Sequence, residues 1–123
     1  MKTATFTIEP FAKSVKRFKK TFEAVRAGRE VEPKDIVGFT SLEAARNFLT
    51  RERLVLLRAI KTGHPRSIYE LAKMVERDLK NVQEDIRILE RHGLVKITKR
   101  PRGSRKIKVP EVPFEEIALR IAI

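Results

Sequence analysis

The sequence predicts an α+β, helix-rich fold, and three observations predict it. Residues 3–8, TATFTI, place Ala4, Phe6 and Ile8 on one side and threonines on the other, the period-two pattern of a strand. Between Ser41 and Gly93, cap residues (Ser41, Thr50, Ser67, Asp78) each stand just ahead of an apolar pattern with helical spacing. Beyond Gly93 the chain alternates again, on both sides of a basic, glycine-containing tip. From Ser67 to Lys108 the order is helix, tight turn, helix, hairpin. That order describes a winged helix-turn-helix, here with an N-terminal strand–helix extension and a C-terminal strand.

The 123 residues suffice for one domain with a real core. Lys and Arg number 28 against 16 Asp and Glu, a net charge of +12 that favours a polyanionic partner. Cysteine is absent, which excludes disulfides, thiolate metal sites and a cysteine nucleophile. The N-terminus MKTATFTIEP lacks an apolar signal core, and no segment approaches the ~18 apolar residues of a membrane span. A cytoplasmic protein with no membrane contact is the expectation.

After the first strand, Pro10 suits the first turn of a helix. Phe11, Val15, Phe18, Phe22 and Val25 then recur at spacings of 4 and 3, a helix-pairing seam. Such a seam serves either a subunit interface or packing within the domain. Residues 1–40 are therefore expected to form the extension and a dimerisation arm, and residues 41–123 the winged helix-turn-helix with its C-terminal strand. The apolar run IVGF at 36–39 suits a brief strand or turn.

Ser41 caps the helix LEAARNFL, and Thr50 caps the next, whose apolar positions include Leu54, Leu57 and Ile60. Gly63 and Pro65 end it. Ser67 and Glu70 form a capping box ahead of a helix with Ile68, Leu71, Ala72 and Val75 inward. Asp78 is expected to cap the following helix, which buries Val82, Ile86 and Leu89. Gly93 terminates it, and Leu94 folds back on Leu89 in a Schellman motif. Two strands follow, around KRPRGSR, and Val109-Pro110 is expected to end their pairing because proline lacks a ladder donor. Ile117, Leu119, Ile121 and Ile123 alternate as a strand, whereas Phe114, Ile117, Ala118 and Ile121 suit a helix. The strand is favoured, paired with residues 3–8.

The helix 79–92 carries the expected base readers: Lys80, Asn81, Gln83 and Arg87. Asn and Gln match adenine, and Lys and Arg match guanine, at the major-groove edge. Glu84 suits a cytosine amine or, better, a salt bridge to Arg87 or Arg91. Residues 96–108 contain no acid. Within them Lys99, Arg100, Arg102, Arg105 and Lys106 are the expected backbone or minor-groove contacts. Arg66, Ser67 and Tyr69 add contacts at a helix N-terminus, where N–H groups favour phosphate; Tyr69 serves equally well as a half-buried packing residue. No nucleophile–base pair, metal set or phosphate loop is present in the sequence, so neither an enzyme nor a cofactor is expected. His64 sits in a turn and His92 at a helix C-terminus, where a structural role is the default.

The stretch from Thr50 to Pro110 resembles winged helix-turn-helix regulators of the MarR-like and ArsR-like superfamily. More narrowly, it is similar to a family of small archaeal and bacterial DNA-binding regulators, some of them thought to be antitoxins encoded beside a toxin. The positions carrying the resemblance include Ser41-Leu42-Glu43, Leu49-Thr50, Arg53, Leu57, Ser67, Leu71-Ala72, Arg77-Asp78, Lys80-Asn81-Val82, Asp85, Leu89 and Gly93-Leu94. The resemblance implies a dimeric double-stranded-DNA-binding regulator with its recognition helix on 79–92, and a toxin protein as a further partner. Asp85 is expected in a structural salt bridge to Arg77 or Lys73. The chain departs from ArsR-like sensors in having no cysteine, and from MarR-like dimers in its short C-terminal segment. Two other readings compete: a protein-interaction module that holds a partner such as a toxin, and an RNA binder. The latter is disfavoured by the narrow A-form major groove and by the single Tyr and absent Trp.

Overall fold

The computed structural model describes residues 2–9 and 35–123. The seam residues Phe11, Val15, Phe18, Phe22 and Val25 lie outside the described residues. Among those described, the chain is α+β, with four helices and two small sheets. It divides into two compact units: residues 1–49 with 114–123, and residues 50–113.

The first unit is built on three parallel strands in the order β2-β1-β5: β1 (Thr3–Ile8), β2 (Ile36–Phe39) and β5 (Glu116–Ile121). The C-terminal segment is thus a strand and pairs with residues 3–8, as expected, with Ala4 opposite Ile117, Phe6 opposite Leu119 and Ile8 opposite Ile121. The central strand β1 is buried on both faces, including Thr5 and Thr7, as parallel sheets require. Helix α1 (Leu42–Phe48) begins at Ser41, whose Oγ accepts from the Ala44 N–H at 3.0 Å. Its Phe48 closes a triangle with Phe6 and Phe39, with ring centroids 5.2 to 5.8 Å apart. Tilted rings at that spacing combine area burial with favourable quadrupole contact.

The second unit holds α2 (Arg51–Gly63), α3 (Ile68–Met74), α4 (Leu79–Arg91) and the antiparallel hairpin β3 (Lys96–Arg102) and β4 (Arg105–Glu111). Its core is Leu56, Leu57, Ile60, Leu71, Ala72, Val82, Ile86, Leu89, Leu94 and Val95. In α2 the inward face is therefore centred on Leu56, which is fully buried, rather than on Leu54. Thr50 and Ser67 cap α2 and α3 through their side chains, at 3.2 and 3.0 Å. Asp78 stands at the cap position of α4 with no side-chain cap bond; its contribution is its backbone carbonyl, which accepts from Val82 N–H. At the other end of α4 both bonds of the Schellman motif are made: Leu94 N–H to Leu89 C=O (2.9 Å) and Gly93 N–H to Glu90 C=O (3.0 Å). Gly93 takes φ of 80°, the left-handed conformation that the motif needs.

The hairpin overturns one expectation. Pro110 does not end the pairing, which runs on through Ile97↔Pro110 to Lys96↔Glu111, and Pro101 lies inside β3 opposite Lys106. In a two-stranded ribbon each strand has a free edge, and a proline whose nitrogen faces that edge costs the ladder nothing. The connection shrinks to Gly103-Ser104, with Gly103 at φ 63°. No helix among the described residues is long and apolar enough to cross a membrane.

Candidate nucleic-acid interface

Helix α4 is held from beneath by Val82, Ile86 and Leu89 and at one flank by an ion-pair cluster. Asp85 Oδ2 accepts from Arg77 Nη2 at 2.9 Å, and Asp85 Oδ1 accepts from Arg53 Nε at 3.1 Å. Arg53 comes from α2, Arg77 from the turn before α4, and all three side chains are mostly buried. The expected salt bridge of Asp85 is therefore made with Arg77, and Arg53 joins it. His92 Nδ1 lies 3.0 Å from the Ile88 carbonyl, so the ring closes the last turn of α4 locally.

The outer surface of α4 exposes Lys80, Asn81, Gln83, Glu84, Arg87 and Arg91. At 3.6 residues per turn these do not form one equal set. Lys80, Glu84, Arg87 and Arg91 fall on one stripe, with Gln83 beside it. Asn81 stands about 100° round from Lys80, on the flank that carries Asp85. The sequence expectation thus separates into Lys80, Gln83 and Arg87 together and Asn81 apart. Arg91 belongs with the first group by its i, i+4 spacing from Arg87.

The hairpin residues also separate, because side chains alternate across a strand. Lys99 faces Lys108 across the pair, and Lys106 faces Pro101, on one side. Arg100, Arg102 and Arg105 fall on the other, with Ile107 and Val109. All five expected contacts, Lys99, Arg100, Arg102, Arg105 and Lys106, are exposed. Lys108 shares the side of Lys99 and Lys106. Arg100 is tied back to Glu111, Nη2 to Oε1 3.2 Å, an acid lying just beyond the acid-free run. The arginine side lines an open concavity of about 740 Å³, whose opposite wall is the α2–α3 turn with His64, Pro65 and Arg66 and the following Glu70.

Arg66 thus lines the same concavity as Arg100 and Arg102. Ser67 Oγ is occupied as an acceptor by the Glu70 N–H, while Glu70 Oε1 reaches back to the Arg66 N–H at 3.4 Å. Tyr69 is 58% exposed. Its ring carries Lys73 Nζ 4.8 Å from the centroid, a cation–π contact on the surface of α3. Among the described residues no group of three His, Cys, Asp or Glu side chains could hold a metal ion.

A family model described as HVO_A0114 matches residues 48–119, more than half of the chain. The chain belongs to the HVO_A0114 family. The HVO_A0114 match takes in α2, α3, α4 and the whole hairpin, and runs into β5. No curated protein and no solved structure matches the chain.

Proposed function

We propose that the chain is a sequence-specific double-stranded-DNA-binding transcriptional regulator of winged helix-turn-helix type, dimeric, non-enzymatic and acting in the cytoplasm. The observation that carries this is the exposed stripe of Lys80, Glu84, Arg87 and Arg91, with Gln83 beside it, on a rigidly seated α4, in the same compact unit as an exposed cationic hairpin. A 13-residue helix is ~20 Å long and fits the B-DNA major groove, where lysine, arginine and glutamine can read base edges. The hairpin lysines and arginines match phosphates, and arginine also suits a narrow minor groove. Net charge of +12 adds the non-specific term that holds the protein near DNA. Autoregulation as an antitoxin remains part of the proposal only through the resemblance, and a toxin protein is the partner it would require.

Guanine-methylation interference on DNA from upstream of the chain's own gene tests the proposal. Methylation at N7 blocks the major groove. A short set of guanines whose methylation abolishes binding supports it. Binding indifferent to every methylated guanine, on a site containing guanines, counts against groove reading by α4.

A further inference from the structure

The sheet of the first unit ends on an edge that matches itself. Strand β5 pairs with β1 on one side, and no described strand pairs with the other. The Ala122 N–H donates to the Ile8 carbonyl at 3.1 Å, and in the register of Ile8 with Ile121 this turns the even-numbered residues of β5 toward β1. Ile117, Leu119 and Ile121 therefore direct their N–H and C=O groups outward. Their side chains share the face of Phe6 and Ile8, and Leu119 and Ile121 are half exposed, at 50% and 51%. No proline, bulge or inward charge blunts this edge, as an edge that stays single usually requires.

The charges identify the occupant. Glu116 and Arg120 lie on the opposite face of β5, and both are exposed. An antiparallel copy of β5 centred on Ala118 sets Glu116 against Arg120 of that copy, twice by symmetry. It also sets Ile117 against Leu119 in hydrogen-bonded pairs, which are the residues with outward backbone groups. Glu116 and Arg120 then fall at non-hydrogen-bonded positions, where opposed side chains come closest. Shifting the centre to Leu119 would put Arg120 against Ala118 and lose both ion pairs.

We infer that β5 is the subunit interface for a second copy of this chain, joining two three-stranded sheets into one of order β2-β1-β5-β5-β1-β2. This deepens the dimeric part of the proposed function and is independent of the DNA-contacting residues.

A single thiol tests it, since the chain has no cysteine. Ala118→Cys puts two thiols on the symmetry axis, at a Cα separation of ~4.5–5.5 Å, within disulfide range. In full-length protein without DNA, mild oxidation at tens of micromolar should give a covalent dimer. In parallel, Glu116→Arg and Arg120→Glu should each weaken self-association roughly tenfold, because like charges then oppose twice. An equimolar mixture of the two variants should associate as well as the native chain. Native chain that sediments as a monomer overturns the inference. So does a native dimer whose Ala118→Cys form stays uncrosslinked while folded by circular dichroism, or whose charge variants do not recover on mixing. Those last results would leave dimerisation through another surface, and DNA binding, standing.

Discussion

The carboxylate of Asp85 holds the guanidinium of Arg77 at 2.9 Å and, with its other oxygen, that of Arg53 at 3.1 Å. One acid in the middle of α4 thus fixes the helix to α2 and to the turn that precedes it. Charge-assisted bonds of this kind are stronger than neutral ones, and removing the acid leaves two mostly buried cations facing each other. Asp85→Ala should destabilise the chain by about 2 kcal/mol in urea unfolding, with the slope unchanged. A loss below about 0.5 kcal/mol would place the cluster among ordinary surface ion pairs.

The Schellman motif after α4 makes a separate demand on stability. Gly93 at φ 80° should resist substitution: Gly93→Ala costs about 1–2 kcal/mol, the ordinary penalty for a left-handed alanine. Leu89→Ala, at a fully buried position, should cost about 3 kcal/mol. Thermal or urea unfolding compares the two directly. A Gly93→Ala variant as stable as the native chain would show that the left-handed turn is dispensable.

Much of this local architecture was legible in the sequence because it is written over four or five residues. Ser41, Thr50 and Ser67 cap as their spacing predicts, and Gly93-Leu94 closes α4 as predicted. Asp78 occupies its cap position without using its side chain, which depends on a rotamer and not on residue type. The continued pairing at Pro110 is not legible in the sequence, because proline breaks pairing only when its nitrogen points into the ladder, and that depends on register. The bond from Arg53 to Asp85 spans 32 residues and has no local signature. The same holds for the candidate site. Its exposed cations were visible from charge and period, but which cations of the two hairpin strands share a face appears only once Lys99 is set opposite Lys108.

The stripe on α4 predicts unequal effects on sequence reading. Arg87→Ala and Gln83→Ala should each lower discrimination between the preferred and a mismatched site by about 1–3 kcal/mol. Asn81→Ala, on the flank, should lower it less than Gln83→Ala. Competition titrations with single-base variants of the site measure this. An Asn81 effect larger than that of Gln83 would mean that α4 meets DNA with its Asp85 flank forward.

The hairpin should act without regard to sequence. Arg102→Ala is expected to weaken binding to all duplexes alike and to lower the log–log salt slope by ~0.9. Arg100→Ala should do less, since Arg100 already pairs with Glu111 at 3.2 Å. Salt titrations of both variants on one duplex separate the two. Equal slopes for Arg102→Ala and the native protein would remove the hairpin tip from the backbone.

The central claim is sequence-specific recognition of double-stranded DNA, and relative affinity tests it most directly. Native protein is titrated, at about 150 mM salt, against duplex from upstream of its own gene and against shuffled duplex of equal length and composition. A regulator should prefer the upstream duplex by at least ~10³-fold. Equal affinity for the two duplexes would contradict sequence-specific regulation and leave only the non-specific attraction expected of a chain with a net charge of +12.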